Sequence, residues 1–192
     1  MNQRGLLIIF SGPSGVGKGT VRDLFIENEE LNLAYSISMT TRAPRAGEVY
    51  GEDYFFVSRE TFLKAIENGE LLEYAEFVGN FYGTPIAEVN RLRDEGKNVL
   101  LEIEVQGALQ VIERAPDALS IFLVPPNMEE LRRRIEGRRT ESAEVVHERL
   151  SKAAKEMELV NQYRYVICND DPDFAADMVS LIIRRNIEAT LD

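Results

Sequence analysis

The residues "GLLIIFSGPSGVGKGT", Gly5 to Thr20, set an apolar run directly ahead of a glycine-rich turn and a lysine. Leu6–Phe10 is apolar at every position, so as a strand it has two buried faces, which requires helices on both sides of its sheet. Three further runs share that character: Val99–Ile103, Ile121–Val124 and Tyr165–Cys168. Helical patterns fall between them. Thr84-Pro85 reads as an N-cap and first-turn pair, with Gly96 as the stop; Arg59 opens another helix that Gly69 closes. Asn127 with Glu130 resembles a capping pair ahead of Met128–Glu136, and Glu141–Leu159 and Phe174–Ile187 carry helical periodicity. Strands separated by helices give right-handed βαβ units and an α/β fold.

The turn after the first run carries chemistry. Gly12, Gly17 and Lys18 stand in register with G-x-x-x-x-G-K-[ST], and Gly19 occupies the place of the hydroxyl residue. Gly12, Pro13, Ser14, Gly15, Val16, Gly17, Lys18, Gly19 and Thr20 are the candidate ATP-phosphate residues. Glycines let successive N–H groups turn toward one phosphate, and the following helix adds partial positive charge. A glycine-rich turn with a surface lysine is the plain alternative, but the strand before and the helix pattern after are the context the motif needs. In P-loop ATPases and GTPases the missing hydroxyl ligates Mg²⁺. Here the metal must rest on phosphates and water, which Mg²⁺ tolerates because it dehydrates reluctantly. With no Asn-Lys-x-Asp either, a switch GTPase is disfavoured and phosphoryl transfer between two nucleotides is favoured.

Composition narrows the partners. A net charge of −11 over 192 residues argues against non-specific nucleic-acid binding, so a polyanionic ligand needs a local cationic site. Cys168 and His147 are each the only residue of their kind, which removes disulfides and multi-Cys or multi-His metal sites and fits a reducing compartment. Leu6–Phe10 is too short for a signal core or a membrane span. The expected location is the cytoplasm.

Two stretches break the alternation. Residues ~35–84 are rich in Ser, Thr, Tyr, Gly and Arg, and residues ~125–151 hold Arg132, Arg133, Arg134, Arg138, Arg139 and Arg149. Both read as insertions at the carboxyl ends of parallel strands, where such sheets bind ligands. Arg42 and Arg45, three apart around Pro44, can converge their forks on one phosphate, and Tyr54 and Tyr82 can donate to it; a solvated basic loop is the ordinary alternative. Glu102 and Glu104 lie two apart at the end of a buried strand, a place carboxylates do not reach for packing.

Four segments together resemble guanylate kinase: "SMTTRAPRAGEVYGEDYFF" (Ser38–Phe56), "LLEYAEFVGNFYGTP" (Leu71–Pro85), "LLEIEVQG" (Leu100–Gly107) and "RRIEGRRTES" (Arg133–Ser142). The likeness runs over essentially the whole chain, in order. It implies a P-loop core with a parallel sheet flanked by helices (1–34, 86–125 and 156–192), a small α+β GMP-binding insert (35–85) and a helical lid (126–155). It implies the reaction ATP + GMP ⇌ ADP + GDP, with dGMP as a further acceptor and Mg²⁺ as cofactor.

The same likeness places Ser38, Arg42, Arg45, Tyr54, Glu73, Tyr82, Gly83, Thr84 and Glu102 at GMP, and Asn169 near the ATP adenine. It puts Lys18, Arg42, Arg134, Arg138 and Arg149 around the transferred group. A carboxylate at Glu73 can accept from guanine N1–H and N2–H₂, whereas adenine leaves it unpaired; such sites reject a wrong base by ~10⁴-fold or more. A solvent-facing strand carboxylate is the commoner fate of such a residue, and an alternating strand would turn Leu72 and Tyr74 to the other side. Ser38 and Thr84 hydroxyls can donate to guanine O6. Where the family often has Asp-x-Asp, this chain has Glu102 and Glu104. Glu102 is expected toward the guanine edge, and Glu104 toward the phosphate gap or a metal-bound water. Two rival functions stand beside this one: a non-catalytic guanylate-kinase-like scaffold, and a P-loop kinase for another acceptor such as AMP.

Overall fold

The computed structural model describes residues 3–77, 79–137 and 143–190. Five strands form the central sheet: β1 (Leu7–Ser11), β2 (Leu33–Tyr35), β7 (Asn98–Glu102), β8 (Leu119–Val124) and β9 (Tyr165–Cys168). Their order is β2-β7-β1-β8-β9 and every pairing is parallel. β1 is buried at all five positions because both faces are covered. Ile8 and Phe10 face a cluster completed by Val21 and Phe25 of α1 (Lys18–Phe25) and Ala175, Val179 and Ile183 of α7 (Pro172–Glu188). Leu7 and Ile9 face the opposite cluster, with Val89 of α3 (Ile86–Asp94) and Val105, Ala108 and Val111 of α4 (Val105–Arg114). Helix, sheet and helix thus make three layers, the arrangement the continuous apolar runs predict.

A second sheet of four strands is built from β3 (Ser38–Thr40), β4 (Tyr54–Phe56), β5 (Leu71–Phe77) and β6 (Asn80–Pro85), in the order β4-β3-β6-β5. With α2 (Arg59–Glu67) it encloses its own small cluster of Phe62, Ala65 and Leu71. A helical pair, α5 (Met128–Glu136) and α6 (Ala143–Met157), packs through Leu131, Ile135, Val146, Leu150 and Ala153. Asn127 caps α5 by accepting from the Glu130 N–H, as its sequence position predicts.

Three local expectations change. The cap of α3 is Pro85; Thr84 stays in β6, where its hydroxyl has another use. α4 is an additional helix, opened by Glu104 as its N-cap, so Glu104 lies beyond β7 and not on it. β5 does not alternate: Leu71, Leu72 and Glu73 are buried in succession. A register shift between Leu71 and Tyr74 against β6 explains this, since a bulge re-aims the side chain it carries.

Candidate active site

The loop that follows β1 is anchored at its entrance by the Ser11 hydroxyl, which donates to the Ile103 carbonyl at 2.9 Å. It turns through Gly15 and Gly17 at φ 84° and 97°, backbone that side chains with a Cβ avoid. At Gly15 space matters too, because an added Cβ would stand 2.6 Å from Ile135 of α5. Gly17 is the N-cap of α1 and makes no side-chain cap, so the first N–H groups of that helix remain for an anion. The Lys18 ammonium is folded into the loop, donating to the carbonyls of Gly12 (2.6 Å) and Pro13 (3.3 Å). Burial lowers its pKa, against the raising effect of Glu102, Glu156 and Glu104. A bound phosphate would supply the counter-charge that burial removes. At Gly19 an added Cβ would meet nothing nearer than the Arg22 guanidinium at 3.9 Å, so the missing hydroxyl is not a packing requirement.

α5 and α6 bring arginines to this loop. Arg134 donates to the Val16 carbonyl at 3.2 Å and the Asn169 carbonyl at 3.0 Å, while Glu130 receives its Nε at 2.8 Å. Arg133 and Arg134 together pull the Glu130 carboxyl down to about 2. Arg149 donates to the Ser14 hydroxyl at 3.0 Å. Arg138 and Arg139 lie outside the described residues. Asn169 is buried behind the loop, its Nδ2 donating to the Val16 carbonyl at 2.7 Å.

The second sheet supplies the facing wall. Arg42 forms a two-pronged pair with Glu48 (2.8 and 3.0 Å) and lies over the Tyr54 ring at 5.3 Å. Tyr54 and Tyr82 meet edge to face at 6.1 Å. Glu48 also accepts the Arg45 backbone N–H at 2.7 Å, so it sets the loop that carries both arginines; the Arg45 side chain is exposed. Glu48 went unassigned from sequence, although its place six residues after Arg42 and three after Arg45 was a signal. Ser38 pairs in register with Tyr54, and Gly83 with Tyr74 and Met39.

Glu73 is 5% exposed and accepts the Thr84 hydroxyl proton at 2.6 Å. Burial pushes its carboxyl up to about 7, with the Thr84 hydrogen bond opposing and the Glu104 charge assisting. The single proton of Thr84 is thereby given to Glu73 in this structure. Glu102 is held by Arg22 of α1 at 2.7 Å. Glu104 accepts the Gly107 N–H at 3.0 Å and receives Lys152 of α6 at 3.2 Å.

Between the two walls lies a cavity of about 620 Å³. Gly12, Ser14 and Lys18 line one side and Tyr74 and Tyr82 the other, with Lys152 and Glu156 at the α6 edge. Lys152 and the buried Glu156 were not found from sequence; inside an amphipathic helix they carry no mark that separates them from solvated charges. Among the described residues no group of three or more His, Cys, Asp or Glu side chains is gathered that could hold a metal ion. None of the described helices is long and apolar enough to cross a membrane.

Comparison with known proteins identifies the family. The family model described as "Guanylate kinase" matches residues 4–186. The chain is 58% identical over 183 residues to a guanylate kinase of Lactococcus lactis subsp. lactis, covering 95% of this chain and 89% of that one. It is 56% identical to one from Streptococcus thermophilus, covering 95% and 88%. The crystal structure of guanylate kinase from Anaplasma phagocytophilum superimposes with a TM-score of 0.72 at 39% identity, over 96% of this chain and 87% of that one. With the family matched across nearly its full length, and with relatives this similar, this chain belongs to the guanylate kinase family.

Proposed function

We propose that the protein transfers the γ-phosphoryl group of ATP to GMP, and to dGMP, giving ADP and the diphosphate, in the cytoplasm. The observation that carries this reading is the buried Glu73–Thr84 pair on the second sheet, next in sequence to Tyr74 of the cavity wall that faces Lys18. An ionised Glu73 accepts from guanine N1–H and N2–H₂ at once, and a buried acceptor left unpaired by adenine rejects it. Ser38 donates to O6. Gly83 lets β6 pass close beside β5, and Glu102, held by Arg22 beside the phosphate loop, serves the guanine edge.

Arg42, Arg45, Tyr54 and Tyr82 hold the GMP phosphate, with Glu48 fixing the Arg42 fork before substrate arrives. Residues Gly12 to Thr20 hold the ATP phosphates, and Asn169 supports that loop from behind. A GMP phosphate oxygen attacks the γ-phosphorus in line, the bond to the ADP oxygen breaks, and ADP leaves with that electron pair. The transferring group carries negative charge throughout, so Lys18, Arg42, Arg134, Arg138 and Arg149 lower the barrier by surrounding it. No side chain becomes phosphorylated; positioning two nucleotides supplies much of the rate. Residues 126–155 act as a lid over the loop and residues 35–85 as the GMP-binding unit, closing on the core of 1–34, 86–125 and 156–192 and keeping water from the γ-phosphate.

Gly19 offers no hydroxyl to a cation, Glu102 is paired with Arg22, and Glu104 caps α4. Mg²⁺ would be held mostly on ATP phosphate oxygens and water, where it would offset phosphate charge, with Glu104 as the residue that could reach it through water.

ADP formation with ATP and Mg²⁺, measured against GMP, dGMP, AMP, CMP and UMP in parallel, tests the reading. Turnover confined to the two guanine nucleotides is expected. Turnover with AMP would overturn the acceptor pocket, and bound GMP without turnover would point to a scaffold.

A further inference from the structure

One face of α4 is applied to β5 on either side of Glu73. Gly107, Gln110 and Arg114 recur at helical spacing and point the same way. Arg114 donates to the carbonyls of Leu71 (2.8 Å) and Leu72 (3.0 Å). Gln110 takes both backbone groups of Tyr74: it accepts the N–H at 3.2 Å and donates to the carbonyl at 2.9 Å. The main chain is thus gripped just before and just after Glu73. One turn ahead of Gln110 on the same face stands Gly107, against the Glu73 side chain. A Cβ there would lie 2.4 Å from Glu73 Oε2, 3.1 Å from its Cδ and 3.5 Å from its Cγ. Its φ is not in the left-handed region, so the backbone does not call for glycine. Glycine also weakens a helix relative to alanine. The missing side chain is explained by the carboxylate that fills its place.

We propose that Gly107 is a specificity-determining residue acting through Glu73: the space it leaves fixes the carboxylate between α4 and the Thr84 hydroxyl, aimed at the two N–H groups of the base. This rests on Glu73 being the guanine reader. An added methyl would meet the free end of a flexible side chain, so the carboxylate yields and the fold does not.

The test uses the full-length protein with Gly107→Ala, Glu73→Ala and the double variant, assayed at saturating ATP with GMP and with IMP, which keeps N1–H and O6 but lacks the 2-amino group. Gly107→Ala is expected to raise KM for GMP about tenfold and to shrink the GMP-to-IMP preference by a similar factor, because a displaced acceptor no longer reads the amino group. Its KM for ATP and its melting temperature should hold. In the Glu73→Ala background, where no carboxylate remains to be displaced, Gly107→Ala should change nothing further. Unchanged GMP preference in Gly107→Ala, an equal loss in both backgrounds, or a Gly107→Ala protein that does not fold would each overturn the proposal. If Glu73→Ala itself keeps the GMP preference, the guanine pocket falls and the proposal with it; if only Gly107→Ala keeps it, the pocket stands and the proposal alone fails.

Discussion

Glu73, in the role proposed for it as the guanine reader, works against the fold that holds it. Its folded carboxyl titrates near 7, against an ordinary 4.5. Between those values the folded protein keeps a proton that the unfolded chain has released, so stability falls as pH rises through that window and the full penalty stands above 7. Glu73→Gln removes the titration. At pH 8 the variant is expected to be more stable in urea than the parent, by up to about 3 kcal/mol, and near pH 4.5 the two should coincide. Recognition runs the other way, because only the ionised form accepts both guanine N–H groups. The parent's kcat/KM for GMP should therefore rise as pH increases through about 7, and in Glu73→Gln that acid limb should disappear. A variant no more stable than the parent at pH 8 would show that the carboxylate is not strained in the apo fold.

At the scale of elements, the legible parts are those with strong periodicity or an explicit cap. β1, β7, β8 and β9 fall within two residues of their apolar runs, because parallel strands buried on both faces leave continuous hydrophobic text. β2 was not legible: two half-buried residues and the exposed Tyr35 at a sheet edge carry no such run. α4 was hidden because its N-cap is a glutamate, an unusual capping residue, inside a motif that reads as the end of a strand. The bulge at Glu73 likewise depends on pairing with β6 and on the grip of α4, which local sequence does not encode. α7 is the opposite case. Asp171 accepts from the N–H groups of Asp173 (2.9 Å) and Phe174 (3.1 Å), and Pro172 follows in the first turn. Since Asp171 is exposed and does not line the cavity, Asp171→Ala should cost about 1 kcal/mol of global stability and leave kcat and both KM values alone. Equilibrium urea unfolding beside the coupled assay checks both halves, and a change in KM would mean that α7 positions the phosphate loop.

Across the whole molecule, apolar burial is uneven. The central sheet is sandwiched between two extensive clusters, whereas α5 and α6 share only Leu131, Ile135, Val146, Leu150 and Ala153, and the second sheet rests on Phe62, Ala65, Leu71 and a few partly buried neighbours. Small clusters open locally at lower free energy than the global transition. Polar groups that join these units to the core include Arg134 and Arg149 on the phosphate loop, Lys152 on Glu104, and Gln110 and Arg114 on β5. The first two stand where anionic phosphates would bind, so substrates should reinforce the closure that the apolar contacts only weakly support. An adenosine–guanosine bisubstrate analogue linked through phosphates spans both nucleotide sites. Its addition should slow amide exchange most in residues 35–77 and 143–155 and least in β1, β7 and β8, which already open only with global unfolding. Uniform slowing would instead mean that all parts open together. In that case the units are one cooperative body, and closure over the phosphates would have to come from small adjustments within it and not from moving parts.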